Sequence, residues 1–487
     1  MADTKISALP SGAPAQAGDE YVIARSGANY KLTGTNLLGL VTSTANTFTA
    51  TQTFGIADVT TLEASNLRAL DGTPAATIAN STGVIAVSTK VEYADGTAAA
   101  PTVTNTGDTD TGVYFPAANE VAVSAGGTVA AAFNSNGLFF RNRIINGDMR
   151  IDQRNAGAAV TVNSANNFYV VDRFFGAGQV TDGVFTVQQS TTAPTNFTNS
   201  IIATVTTADA SLGATQQYLV GQAVEGFNAA DLRWGTANAL TVTLSFWVRS
   251  SLTGTFGGSL VNSGFNRSYP FTYSISSANT WEQKTVTIAG DTSGTWLTDN
   301  GVGIRVLFSL GAGSTYAGTA GAWDGSYKAG ATGQTQVIGT LNATWYVTGV
   351  QLETGSVATP FERRPYGTEL MLCQRYYYRL FPNAGQKLLS TGGQCFSTTL
   401  AGTYRSFPVP MRVAPSALEQ SGTAAHYAVW DVAGNQIFGS SVPAFGSATT
   451  DIMASVNLSV ASGLVAGSST AMTTGNSAAY LGWSAEL

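Results

Sequence analysis

From Asp95 to Gly137 the chain reads DGTAAAPTVTNTGDTDTGVYFPAANEVAVSAGGTVAAAFNSNG. Gly and Asp tolerate the positive φ of tight turns, so Thr106-Gly107-Asp108 and Asp110-Thr111-Gly112 read as turns. Val113, Tyr114 and Phe115 make a short β-prone run that Pro116 stops. Val121 and Val123 alternate with Ala122 and Ser124 in the rhythm of a strand. Gly126-Gly127 reverses the chain, Val129 to Phe133 makes another strand, and Asn134 to Gly137 is a further turn signal. The stretch is a ladder of strands, each too small to bury a core alone, so it needs neighbours from other chains. A calcium loop would need a longer series of oxygen ligands ending in Glu. Asp108 and Asp110 lack that series and read as turn residues.

Composition changes on either side of this ladder. Only 11% of the 487 residues are charged, against about a quarter in an average soluble protein. Small polar and β-branched residues and 54 Gly take their place. That balance suits an extended β assembly and excludes a charged, disordered chain. The 8 Trp, 18 Tyr and 23 Phe imply packed cores, and these are expected after residue 140. A net charge of −6 argues against nucleic acid or anionic membranes as partners. No apolar run approaches the roughly 18 residues of a membrane span, so no membrane insertion is expected. MADTKISALP opens the chain without the hydrophobic region of a signal peptide. Cys373 and Cys395 do not make a disulfide framework and read as reduced, buried thiols. His426 is the only histidine, so no Cys/His metal spacing exists. No metal and no cofactor is expected.

Before the ladder, Asp19 to Arg25 reads as a strand, with Gly27-Ala28-Asn29 as a turn into Tyr30-Lys31-Leu32. Residues 41–90 carry widely spaced apolar side chains, among them Phe48, Phe54, Ile56 and Leu67. Asp71-Gly72 and Thr82-Gly83 are turn signals there. After the ladder, residues 139–365 show plain alternation. In TVTLSFWVR (Thr241 to Arg249), Val242, Leu244, Phe246 and Val248 share one face, and Trp247 lies on the other. Many such strands with Gly- and Ser-rich turns mean a β-sandwich. Residues 366–487 open with a short helix over Thr368 to Tyr376 and end in the aromatic strand Ala479 to Leu487.

The TGDTDTG-Y pattern with PAAN and N-S-N-G, the N-T-F-T-x-x-Q-T-F of Asn46 to Phe54, and the K-I-S-x-L-P of Lys5 to Pro10 resemble bacteriophage tail fibre proteins. RIINGDM (Arg143 to Met149), FWVRS (Phe246 to Ser250) and VQLETG with ATPFE (Val350 to Glu362) resemble the jelly roll of tail fibres related to carbohydrate-binding modules. E-L-x-x-C-Q-R-Y-Y and F-x-x-x-M-R-x-x-P resemble the tip domain of such fibres. The resemblance implies an all-β, elongated homotrimeric fibre located in the virion. Its expected parts are a virion-attachment hairpin module (1–40), an intertwined trimeric β shaft (41–90), a shaft segment or neck (91–138), a jelly-roll sandwich (139–365) and a second, sandwich-like tip (366–487). The hairpin, with Tyr21, Ile23, Tyr30 and Leu37, would dock to the tail or baseplate. The two C-terminal domains would meet a host-cell surface glycan or outer-membrane protein. Jelly rolls of this kind bring their two end motifs together, and Asp148 and Glu353 could give oxygens to a structural calcium there.

A sugar lays its apolar face on an exposed aromatic ring. Trp247 is the first candidate, followed by Trp281, Trp296, Trp323, Tyr269 and Tyr327. In the tip, His426, Tyr427 and Trp430 follow a Gly-rich turn. From Val413 to Leu487 there is no Lys or Arg, which leaves Glu419, Asp431, Asp451 and Glu486 for a neutral to acidic surface. Glycan cleavage needs two carboxylates flanking the sugar. Glu282, Asp291, Asp299 and Asp324 show no pairing pattern, so no enzyme is expected. A polysaccharide-degrading tailspike and a purely structural spacer are the alternatives.

Overall fold

The computed structural model describes residues 20–25, 28–33, 66–68, 74–78, 85–87, 90–133, 141–163, 167–179, 182–380 and 388–487, the first five segments by backbone alone. Met1–Glu92 and Tyr93–Leu487 are two separate units. In the first, β1 (Glu20–Arg25) and β2 (Ala28–Thr33) pair antiparallel, with Ile23 opposite Tyr30 and Arg25 opposite Ala28. Ala28 and Asn29 therefore belong to a strand and not to the turn. Leu37 and the Asn46 to Phe54 motif lie outside the described residues. β3 (Asn66–Arg68), β4 (Pro74–Ile78) and β5 (Ile85–Val87) form an antiparallel meander. Asp71-Gly72 and Thr82-Gly83 fall between these strands, also outside the described residues.

The second unit begins with another meander, β6 (Val103–Asn105), β7 (Asp108–Tyr114), β8 (Val121–Ala125) and β9 (Thr128–Phe133). Thr106-Gly107 is a turn, but Asp110-Thr111-Gly112 is not. Those residues, and Asp108, belong to β7, which bulges there: Gly112 lies opposite Thr104, and Asp108 opposite Asn105. The Thr104 hydroxyl, 2.8 Å from the carbonyls of both Asp108 and Thr111, serves backbone that the ladder leaves unpaired. Gly112 allows the close approach of β6, since a Cβ there would lie 2.0 Å from the Val103 carbonyl oxygen. A hydrogen bond that the protonated Asp110 carboxyl donates to the Asp108 carboxylate holds Asp110 above its ordinary pKa. Tyr114 is buried opposite the small Ala122, while Val121 and Val103 stay exposed.

The sandwich follows in chain order as β10 (Val160–Val162), β11 (Phe168–Tyr169), β12 (Phe174–Gln179), β13 (Val184–Ser190), β14 (Ser200–Thr207), β15 (Gln217–Glu225) and β16 (Val242–Ser250). It continues with β17 (Gly254–Val261), β18 (Ser268–Ile275), β19 (Glu282–Ile288), β20 (Val302–Ala312), the short parallel pair β21 (Ala317–Gly318) and β22 (Gly330–Ala331), and β23 (Thr344–Thr354). One sheet has the order β10-β13-β14-β23-β16-β19, the other β11-β12-β15-β20-β17-β18. The chain crosses repeatedly between the sheets, the wrap of a jelly roll. Inward residues of β16 and β23, among them Leu244, Phe246, Val248 and Trp345, are fully buried. Phe246 meets Phe308 and Tyr273 edge to face, at 4.9 and 5.0 Å between centroids. Each such side chain contributes roughly 1.5–3 kcal/mol by leaving water.

The two end segments of the sandwich meet. The Arg143 amide donates to the Leu352 carbonyl at 2.8 Å, and the Val350 amide to the Gly147 carbonyl at 2.9 Å. Glu120 of the β6–β9 meander accepts from the Ser356 amide (3.0 Å) and hydroxyl (2.7 Å), which ties the meander to the sandwich.

The C-terminal part starts with α1 (Tyr366–Gln374), two residues earlier than the sequence predicts and preceded by Pro365 in an extended N-cap conformation. Then come β24 (Tyr377–Leu380), β25 (Gly392–Cys395), β26 (Leu400–Ser406), β27 (Ala417–Gln420), β28 (Tyr427–Trp430) and β29 (Gln436–Phe438). β30 (Ala444–Phe445), β31 (Met453–Ser459), β32 (Ser469–Thr470), β33 (Met472–Thr474) and β34 (Leu481–Ser484) complete it. The sheets are β24-β34-β27, β30-β31-β26-β25-β32 and β29-β28-β33. They share a core in which Trp483 stacks on Tyr378 at 5.6 Å. Cys373 and Cys395 are free and buried.

A polar joint fastens this part to the sandwich. Arg173 pairs with Glu486, and Arg154 with Glu419. Glu225 accepts Arg375 through Nε (2.9 Å) and Nη2 (2.6 Å), and accepts the Tyr376 hydroxyl as well. The Tyr169 hydroxyl donates to the Leu487 carbonyl at 2.9 Å. Glu419 and Glu486 are therefore not free for the tip surface, because arginines from the sandwich reach across and take both.

Candidate functional site

The outer face of the first sheet carries a cleft of about 520 Å³, lined by Trp247, Ser245, Gln283, Phe197, Phe361 and Arg363, with Asn196 and Gly349. Its size lies in the usual range of small-ligand sites. Its floor follows from strand parity. Trp247 and Ser245 point away from the core because Phe246 and Val248 point into it. Gln283 lies opposite Trp247 on β19 and shares its face.

A β-bulge shapes the depression. Ser245 pairs with Gln351, but Trp247 pairs with Thr348, so Gly349 and Val350 oppose a single residue of β16. Gly349 sits at φ 61°, in the left-handed region. A Cβ there would lie 2.7 Å from the Phe197 ring and 3.1 Å from the Trp247 ring. Gly349 thus lets these two aromatic side chains approach over the strand. The bulge is fixed from the N-terminal segment: Asn142 Nδ2 donates to the Val350 carbonyl at 3.1 Å.

Two loops raise the walls. Asn196, at φ 71°, ends the β13–β14 turn and precedes Phe197, whose amide bonds the Pro194 carbonyl at 3.0 Å. After β23 the chain folds back. Glu353 accepts the Thr359 amide (2.9 Å) and hydroxyl (2.6 Å), and Gln351 accepts the Glu362 amide (2.8 Å). That return sets Phe361 edge to face on Phe197 at 5.3 Å. The Arg363 guanidinium lies over Phe197 at 4.7 Å and donates to the Asn196 carbonyl.

Further along the same face, Tyr346 lies opposite Arg249, whose guanidinium is 5.0 Å from its ring centroid. Trp281 touches Tyr346 at 5.9 Å. Trp247 and Trp281 are thus the predicted aromatics that this face brings near one another, both partly open. The others lie elsewhere. Trp296, Trp323 and Trp234 form a three-ring cluster at 4.8–5.4 Å, and Tyr269 packs on Trp323 at 5.2 Å. Trp296 and Tyr269 are each 8% exposed, so packing uses the ring faces a sugar would need. Tyr327 packs between Phe265 and Tyr316 and donates to Gln217 at 2.6 Å. In the C-terminal part, Tyr427 is fully buried, its hydroxyl donating to the Tyr480 carbonyl at 2.8 Å. His426 Nδ1 is 2.8 Å from the Ser421 hydroxyl, and Trp430 is partly open. Phe197, Phe361, Gly349 and Arg363 escape the sequence reading of the site. A lone Gly inside a strand pattern is a bulge signal, and Gly349 in TWYVTGVQLE carries it.

The carboxylates are occupied structurally. Asp291 takes Arg267 through two bonds of 2.7 Å and the Trp296 indole at 3.3 Å. Asp324 accepts from Ser326, Asp299 from the Gly301 amide, and Glu282 from Lys284 and two backbone amides. Asp148 pairs with Arg150, while the chain's own donors fill Glu353. Burial holds the carboxyls of Asp148 and Glu353 above their ordinary range. Among the described residues no three His, Cys, Asp or Glu gather as metal ligands, and no helix is long and apolar enough to cross a membrane.

No family model and no curated protein matches the chain. Solved structures similar to it include the enzymatically active domain of tailspike protein 4 of bacteriophage CBA120, at 10% identity and a TM-score of 0.23 over 44% of this chain and 21% of that one. The match thus spans about a fifth of the tailspike structure. A family 11 carbohydrate-binding module from Clostridium thermocellum, in complex with a mixed-linked tetrasaccharide, is 9% identical with a TM-score of 0.21 over 43% of this chain and 99% of that one. The CBM22-1 xylan-binding domain from Paenibacillus barcinonensis Xyn10C is 8% identical with a TM-score of 0.20 over 42% and 99%. Likenesses this distant carry no argument about what the chain binds.

Proposed function

We propose that this chain is a bacteriophage tail fibre that adheres to a host-cell surface glycan through the Trp247 cleft. The observation that carries the glycan reading is the cleft itself. A partly open indole forms its floor, phenyl rings form its walls, and Gln283, Asn196 and Ser245 supply amide and hydroxyl partners for sugar hydroxyls. None of its lining residues is a carboxylate, so its chemistry is binding and not glycoside hydrolysis. The fibre reading rests on the TGDTDTGVYF ladder and the N-terminal motifs. The fibre is a homotrimer in the virion, docked to the tail or baseplate through the hairpin that contains Tyr21, Ile23 and Tyr30. Three weak sites per fibre then add by effective concentration.

The test is binding of the full chain to host cells and to their extracted surface polysaccharide, with Trp247→Ala alongside. A partly open ring leaves on the order of 50–80 Å² for a ligand to cover, worth about 1–2 kcal/mol. The expected loss is roughly 5- to 30-fold in affinity, with no reducing ends released. Equal binding by wild type and Trp247→Ala would put contact outside the cleft. No binding by either would leave the chain a spacer.

A further inference from the structure

We propose that the Trp247 cleft selects acidic sugars, with Arg363 receiving the carboxylate of a uronic or sialic-type residue whose ring lies on Trp247. This rests on the glycan reading and adds a substrate class to it. The chain has an excess of acids, yet the charged group in the cleft lining is a cation. Arg363 is exposed, while its neighbour Arg364 is buried and bonds the Ile144 carbonyl at 3.3 Å and Glu369 at 3.4 Å. Successive arginines therefore have different tasks.

The Arg363 fork is held in place without its charge being neutralised. It lies over Phe197 at 4.7 Å, is 5.7 Å from the Phe361 centroid, and gives one hydrogen bond to a backbone carbonyl. Among the described residues no carboxylate lies within ion-pair distance of it. Its charge reaches Asp148, but Arg150 already binds that buried carboxylate. A guanidinium stacked on rings keeps its plane fixed, so little side-chain freedom is lost when a ligand binds. The planar fork matches the two oxygens of a carboxylate. One cation suits a monoanionic sugar better than a phosphorylated one, whose higher charge calls for several cations.

The experiment titrates the full chain with trigalacturonate, its trimethyl ester, neutral cellotriose and a phosphorylated cellotriose, at low and high salt. Wild type should bind trigalacturonate at least about tenfold more tightly than the ester, and added salt should shrink that difference. Arg363→Gln should lose the preference and bind acid and ester alike. Arg363→Lys should keep part of the preference, having charge without the planar fork. Circular dichroism melting of each variant checks folding. Equal wild-type affinity for acid and ester, or preference for the phosphorylated sugar, overturns the acidic selection and leaves the glycan reading standing. Loss of acid binding in Arg363→Gln together with loss of ester and cellotriose binding would make Arg363 a wall residue only. If none of the four probes binds wild type, the acidic selection falls, and Trp247→Ala on host polysaccharide decides the glycan reading separately.

Discussion

Glu486→Gln should weaken the joint between the sandwich and the C-terminal part by several kcal/mol. The side chains of Arg173 and Glu486 are 1% and 5% exposed, so water cannot screen the pair. Burial alone would lower the Arg173 pKa, but Glu486 and Tyr376 beside it hold it up, and the guanidinium stays charged. Its other support is modest. It stacks on Tyr376 at 3.6 Å and donates to the Ala223 carbonyl. Gln keeps the shape of Glu486 and removes the counter-charge, which leaves a buried cation without compensation. Such a loss costs about 3–5 kcal/mol. At about 1.2 °C per kcal/mol for a unit the size of Tyr93–Leu487, the melting point should fall by roughly 4–6 °C. The assay is thermal and urea unfolding followed by the fluorescence of Trp483 and its neighbours. The partner test is Arg173→Met with Glu486→Gln, which removes both charges and should recover most of the loss. A Glu486→Gln cost below about 1 kcal/mol would mean a wet, screened pair. A double variant no better than the single would mean that shape, not charge, holds the joint.

Two further outcomes follow from named contacts. Gly349→Ala places a side chain at φ 61° and against Phe197, so it should cost about 1–2 kcal/mol in strain and weaken glycan binding by narrowing the cleft; wild-type binding in a folded variant would remove the bulge from the site. Burial raises the Asp172 pKa to about 7, against the donors of Gln153, so the folded state keeps a proton that the unfolded chain loses above its ordinary value near 3.8. Stability should therefore fall as pH rises from about 4 to 7 and level off above that, by up to about 4 kcal/mol from this group. Asp172→Asn should flatten that slope in urea titrations at successive pH values. An unchanged slope would assign the pH dependence to other acids.

The parity of TVTLSFWVR is enough to place Trp247 outward, because alternation encodes facing directly. What it cannot encode is which other aromatics share that face. Phe197 and Phe361 come from opposite ends of the sandwich sequence and meet through the folded-back segment that Glu353 and Gln351 hold. Trp296 and Tyr269 carry the same local signal as Trp281, yet the three-Trp cluster buries them, which is decided by tertiary neighbours. Asp108 and Asp110 look like turn residues by propensity. Their strand wins because the Thr104 hydroxyl serves the bulged carbonyls and Gly112 admits β6, and neither contact is local in the sequence.

The C-terminal part shows the same limit with a consequence for function. A run from Val413 to Leu487 without Lys or Arg reads as a surface with several free acids. Glu419 and Glu486 are instead neutralised by Arg154 and Arg173 from far upstream. Asp431 turns inward on its own loop and accepts from Ala433 and Asn435. Asp451 is left as the exposed acid of the four without such a partner among the described residues. The stretch from Val413 to Leu487 therefore offers little free charge, while the sandwich cleft offers an aromatic floor beside a held cation. If charge guides this chain to an acidic ligand, Arg363→Gln should slow association with an acidic surface more than Asp431→Asn or Asp451→Asn changes it.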